Sequence, residues 1–223
     1  MNFKLFIQAI VKFFAGVIIV GALLFVSADT FKYWNAWLLL GLLFIPMFIA
    51  GMVLMIKNPE LLKKRLNSKE TEMEQKLVLM LSGLMFVLGF LVAGLNFRYK
   101  WIEVPNWVVI VGSVLFVIAY ILYAEVMREN TYLSRTIEVQ EDQKVIDTGM
   151  YKIVRHPMYM VTLLLFLSIP LILGSVISLV IFLMYPIIIA IRIKNEEKVL
   201  ERDLKGYKEY KEKVKHRLIP FIW

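Results

Sequence analysis

Long apolar runs, each closed by charges or by tryptophan, set the pattern of this chain. The first, Phe13 to Val26, follows Lys4 and Lys12 and ends on Ser27-Ala28. A secretory signal peptide has the same outline. We read the segment instead as a retained first span, with Lys12 snorkelling its amine to the interface. Ala36 to Ile56 predicts a second span, entered through Trp34 and Trp37, a residue type that favours the membrane–water boundary. Leu77 to Phe97 predicts a third and Trp107 to about Met127 a fourth. Each has close to the ~20 residues a helix needs to cross a bilayer core.

Met158 to Ile193 breaks the pattern. As one helix it would run ~54 Å, against a core of ~30 Å. Pro170 and Gly174-Ser175 interrupt it, and a break near Gly174 leaves two legs of ~24 and ~27 Å. Two legs return the chain to the side it left. Arg155-His156-Pro157 and Arg192 to Glu197 are then expected in one compartment, close together. From Lys194 to Trp223 charges alternate densely around Leu200, Leu204, Tyr207, Val214 and Leu218. That spacing predicts an amphipathic cytoplasmic helix, lying on the membrane or over the polar site. The expected architecture is an all-α integral membrane protein: four transmembrane helices, a two-legged helical hairpin and an amphipathic C-terminal helix. It divides into a transmembrane region, 1–127, and a cytoplasm-facing catalytic and cofactor-binding region, 128–223. There is no internal repeat, low-complexity tract or separate soluble domain.

Composition agrees. Of 223 residues 60% are hydrophobic, above the about 45–50% of soluble domains, and the mean hydropathy is +0.70. The absence of Cys removes disulfides, thiol nucleophiles and thiolate metal sites. Two histidines, His156 and His216, give poor support for a metal site, and none is expected. His216, between Lys215 and Arg217, reads as a solvated tail residue.

The net charge of +8 gains meaning from its placement. Lys and Arg number two before the first span, one in the next loop, six from Lys57 to Lys76 and two from Arg98 to Asn106. Five more lie between Arg128 and Tyr159, and ten follow from Arg192 onward. The alternation places both termini and everything after the fourth span in the cytoplasm, with attraction to anionic membrane lipids. A nucleic-acid footprint would need a soluble basic face, and none is visible.

The polar stretch Gly149 to Tyr159 holds the candidate chemistry. Pro157 suits the first position of a helix and pushes His156 toward an extended conformation. The following amides are expected to point free N–H groups at the interface, an end that suits a carboxylate or phosphate. Tyr151 and Tyr159 offer aromatic faces to a sulfonium or a purine. Arg and Tyr also mark membrane boundaries without any further role. Arg192 and Glu196 share one helix face; they read either as a surface ion pair worth under about 1 kcal/mol or as an anchor for an anionic acceptor and a cofactor amine or hydroxyl. Glu197 is the rival for the second role. Ile137 to Ile146, before the turn Asp147-Thr148-Gly149, reads as a plain linker or as a strip along a cofactor base.

Thr148-Gly149-Met150-Tyr151 followed by Val154-Arg155-His156-Pro157-Met158-Tyr159 resembles the isoprenylcysteine carboxyl methyltransferase family and its phospholipid methyltransferase relatives. The second half of the pattern is Arg192, Glu196-Glu197, Leu200, Gly206, Tyr207, Tyr210, Arg217 and Pro220. The resemblance runs from Asn130 onward. Met150 departs from the Pro often found there, and the tail before Tyr207 is about two residues short. The resemblance implies a membrane enzyme using S-adenosylmethionine on a lipidic or prenylated acceptor. It implies cofactor contacts at Gln140, Gln143, Lys144, Val145, Ile146, Tyr151, His156, Pro157, Met158, Tyr159 and Glu196. It also implies an acceptor-side role for Arg192, with Arg192 and Glu196 as the catalytic pair. Two rival readings are an NADPH-dependent sterol or lipid reductase, whose relatives have a His-Pro-x-Tyr-like segment, and a non-enzymatic scaffold. An extra basic cluster for a 2′-phosphate, which the reductase would want, is missing.

Overall fold

The computed structural model describes residues 3–67, 73–134 and 139–223. Among them every regular element is helical: α1 Phe3–Ala28, α2 Trp34–Lys57, α3 Pro59–Leu66, α4 Met73–Tyr99, α5 Asn106–Glu129, a 3₁₀ turn Gly149–Lys152, α6 Pro157–Ile172, α7 Val176–Phe182, α8 Tyr185–Asp203 and α9 Tyr207–Lys213. Among the described residues, five stretches are long and apolar enough to cross a membrane: α1, α2, α4 from Gln75, α5, and α7 with α8. Side chains such as Ile18, Ile110 and Ile121 stay exposed on their outer faces, where lipid rather than water is the natural surround.

α3 was not anticipated. Its signals are local: Pro59 occupies the first turn and the Asn58 side chain accepts a hydrogen bond from the Leu61 N–H at 3.1 Å, the usual way to start a short helix. Leu62 then packs in a small cluster with Leu5 and Met55, tying the loop to the ends of α1 and α2.

The long apolar stretch folds back on itself. Thr162 Oγ1 lies 2.8 Å from Tyr185 Oη, Tyr159 meets Arg192 and Arg155 meets Glu197, so α6 runs antiparallel to α7 and α8. Pro170 does not end the first leg, which continues to Ile172. The reversal comes at Gly174, with φ of +67°, a conformation glycine adopts without penalty. A second break at Leu183–Met184, ahead of Pro186, separates α7 from α8. The last carbonyls of α6 have no partner within the helix. Tyr33 Oη donates to Leu173 O at 2.6 Å and Asn35 Nδ2 to Ile172 O at 2.8 Å, both inside the bundle. Tyr33→Phe leaves a buried acceptor unpaired and is expected to cost about 1–3 kcal/mol; thermal unfolding in detergent measures it.

The expected tail helix is corrected. α8 continues to Asp203, the chain turns at Gly206 with φ of +86°, and only Tyr207–Lys213 is helical beyond it. Leu204, Tyr207, Tyr210 and Val214 are buried against Val139, Val145 and Leu200, so the apolar positions are spent on the linker and not on a membrane surface. After Val214 the carbonyls serve other groups. Arg155 Nη1 donates to Val214 O at 2.6 Å and Lys215 O at 2.9 Å, and the backbone N–H groups of Arg155 and His156 donate to His216 O and Arg217 O, both at 2.9 Å. A helix would need those carbonyls for itself.

Candidate functional site

One face of α8 lines a cavity. Tyr185, Ile189, Arg192, Glu196 and Leu200 all border it, and at 1.5 Å per residue that stripe is about 23 Å long. The cavity volume is about 340 Å³, within the ~300–1,000 Å³ of small-molecule sites. Its inner end is apolar and aromatic: the Phe86, Phe166 and Tyr185 rings meet edge to face with centroids 4.8 Å apart in both pairs. Its outer end is bordered by Asn130, Gln143 to Ile146, Tyr151, Tyr207 and Tyr210.

Charges sit where the two ends join. Arg192 Nε donates to Tyr159 Oη at 2.8 Å, and that hydroxyl in turn donates to Glu196 Oε2. Arg192 and Glu196 are thus linked through a partly buried tyrosine, with Arg192 only 8% exposed; the solvated surface pair does not describe them. The Arg192 guanidinium also lies 5.8 Å from the Tyr159 ring centre. His156 precedes α6, stacks on Tyr159 with centroids 5.7 Å apart, and is buried.

The two glutamates differ in what each touches. Glu196 borders the cavity. Glu197 faces the other way: its carboxylate accepts from Arg155 Nε at 2.7 Å and Arg217 Nε at 2.8 Å, with His156 Nε2 at 3.4 Å. Side chains of Arg155 and Glu197 are 3% and 4% exposed, whereas Glu196 is 23% exposed. Two guanidiniums on one carboxylate satisfy a charge that would otherwise be costly to bury.

Of the expected contacts, Gln143, Lys144, Val145, Ile146, Tyr151, His156, Pro157, Met158, Tyr159, Arg192 and Glu196 all border the cavity. Gln140 does not border it. Its Nε2 donates to Tyr132 O at 2.6 Å and its Oε1 accepts from Lys64, so it braces the linker against α3. Ile137 and Glu138 of the same strip lie outside the described residues. The expected row of free N–H groups at the start of α6 is short, because Pro157 has none and those of Tyr159 and Met160 donate to His156 O. His216, expected as a solvated tail residue, is half-buried, its ring 5.4 Å from that of Phe221.

Several lining residues escaped the sequence reading. Arg65 of α3 and Val78, Leu79, Ser82 and Phe86 of α4 border the cavity, so it is not built from 128–223 alone. Val78, Ser82 and Phe86 share the fourfold spacing of one helix face, the only local signal, and an apolar span offers many such faces. Asn130 donates to Tyr151 Oη at 2.9 Å, and Tyr210 Oη donates to Tyr151 O at 2.7 Å. These bonds fix the ring at the outer end. Burial pushes the Tyr151 hydroxyl well above the ordinary phenol range, so it is neutral and serves as a hydrogen-bonding group. No group of His, Asp or Glu among the described residues is arranged to hold a metal ion.

A search among curated proteins found no match to the chain. Its residues 107–206, which take in α5, the linker, the Gly149–Tyr159 stretch and α6 to α8, match the model of the phospholipid methyltransferase family, the relative of the isoprenylcysteine carboxyl methyltransferases that the motif resembles.

Proposed function

We propose that the chain is a membrane-embedded methyltransferase that takes its methyl group from S-adenosylmethionine and passes it to a lipidic acceptor. The observation that carries this reading is the Arg192–Tyr159–Glu196 link at the junction of a polar, aromatic end and an apolar end of one cavity. A polar donor and a lipid acceptor need such a junction to meet. The residues present fit the donor: Glu196 offers a carboxylate to an amine or hydroxyl, and Tyr151 and Tyr159 offer aromatic faces to a sulfonium or purine. When bound, the sulfonium supplies an activated methyl group for in-line displacement.

The chain's own work is then positioning. Arg192 orients the acceptor group, and the Phe86–Phe166–Tyr185 end takes its hydrocarbon part. An acceptor oxygen or nitrogen must reach ~3–3.5 Å from the methyl carbon. A guanidinium at the junction favours an anionic acceptor, such as the carboxylate of a prenylated cysteine, which needs no base. The family match favours a second acceptor, a phospholipid amine. That amine must lose a proton to a base before it can attack. The cofactor-bearing end, with both termini, is assigned to the cytoplasm on the charge alternation.

Calorimetry in detergent tests the reading. Wild-type protein is expected to bind S-adenosylhomocysteine, and His156→Ala and Glu196→Ala are each expected to weaken that binding by about 10-fold or more. Wild-type protein with no affinity for donor or product sinks the proposal. Radiolabelled donor with a panel of prenylcysteines and phospholipids separates the two acceptors.

A further inference from the structure

Glu197 lies behind the cavity, touches none of it, and yet holds three groups that do or that shape it. A carboxylate between two guanidiniums is ionised and can only accept hydrogen bonds. The His156 nitrogen that faces it, Nε2 at 3.4 Å, therefore carries the proton. The other nitrogen, Nδ1, lies 3.9 Å from Glu196 Oε1. That is too far for a hydrogen bond between them. With its proton on Nε2, Nδ1 presents a lone pair beside a carboxylate oxygen. Two acceptors side by side repel one another, and a donor with several hydrogens between them removes that repulsion.

We propose that Glu197 is a positioning residue that holds His156 in its Nε2–H form, so that Nδ1 and Glu196 Oε1 form paired acceptors for the ammonium group of an amino-acid-bearing ligand. The proposal rests on the methyl-donor reading for the identity of that ligand. Arg155 and Arg217 serve the same end: they keep Glu197 charged, and they join α6 to the chain end, whose 216 and 217 carbonyls receive the N–H groups of residues 155 and 156. Glu197 is thus the point where the His156 ring, the start of α8's charged face and the C-terminal segment are locked together.

Two ligands separate this role from a purely structural one. S-adenosylhomocysteine carries the ammonium group; methylthioadenosine has the same nucleoside end and lacks it. In calorimetry on the full chain in detergent, Glu197→Gln is expected to lose about 10–100-fold of its affinity for S-adenosylhomocysteine, the usual scale for a residue that orients a contacting one. Its affinity for methylthioadenosine is expected to stay at the wild-type value. ¹⁵N-histidine spectra of a His216→Gln background, which leaves one histidine, report the tautomer directly: Nε2–H in that protein, a mixture once Glu197→Gln is added. Equal losses for both ligands, or an Nδ1–H tautomer with Glu197 intact, overturn the proposal. Should Glu197→Gln fail to elute as a folded species, the tautomer of the Glu197-bearing protein still decides. Wild-type protein that binds neither ligand sinks the methyl-donor reading, and the tautomer then judges Glu197 alone.

Discussion

Arg155→Ala is expected to destabilise the folded chain by about 3–5 kcal/mol, the cost of breaking a buried ion pair from one side. Three acceptors lose a donor at once: Glu197 Oε1, which keeps only His156 Nε2 at 3.4 Å, and Val214 O and Lys215 O, bonded by Arg155 at 2.6 and 2.9 Å. Glu197 keeps Arg217, but that side chain is 29% exposed against 3% for Arg155, and water competes for it. Lysine at 155 keeps the charge without the planar fork that reaches all three acceptors, so Arg155→Lys is expected to recover only part of the loss. Arg217→Ala, from the wetter side, costs less. Chemical denaturation in detergent ranks the three. An unfolding midpoint for Arg155→Ala equal to wild type contradicts the role given to this cluster.

Arg192→Ala carries the largest expected effect on turnover. The guanidinium stands at the junction of the cavity's two ends, hydrogen-bonded to Tyr159 Oη at 2.8 Å. Losing the group that aims the acceptor is expected to lower kcat/KM by about 10²-fold, the scale at which misplaced reactants lose rate. S-adenosylhomocysteine affinity is expected to change little, since Glu196 and His156 remain. Arg192→Lys restores charge but not the fork and recovers a fraction. A variant that loses cofactor affinity and acceptor turnover in equal measure places Arg192 on the cofactor side instead.

Much of this site was legible in the residues. His156-Pro157, Arg192 and Glu196 drew notice as short polar marks at the ends of apolar runs, and the folding back of 158–193 placed them together. The roles of Glu196 and Glu197 were not legible. Adjacent residues on a helix point about 100° apart, and which of the two faces a cavity depends on how α8 is rotated against α6. Gln140 lies off the cavity for a related reason. Its neighbours Gln143 to Ile146 border the cavity, but the tight turn at Asp142, with φ of +57°, carries Gln140 toward Lys64. The tail lies over the site, one of its two expected placements, with Leu204, Tyr207 and Tyr210 bordering the cavity, but its apolar spacing allows either one helix or a turn-rich clasp. Gly206 and the donors of Arg155 select the clasp.

Hydrophobic run length and charge placement, both properties of the chain read locally, were enough for the helical class, the near positions of the spans and the reversal near Gly174. They suffice because a bilayer-crossing helix must satisfy its own backbone and meet an apolar surround along its length. Helix rotation, and the partners of Arg155 and Glu197, depend on contacts between residues far apart in sequence. Arg155 meets Val214 across 59 positions and Tyr33 meets Leu173 across 140. No local pattern encodes such pairs, and they emerge only when packing brings buried donors and acceptors within reach of one another.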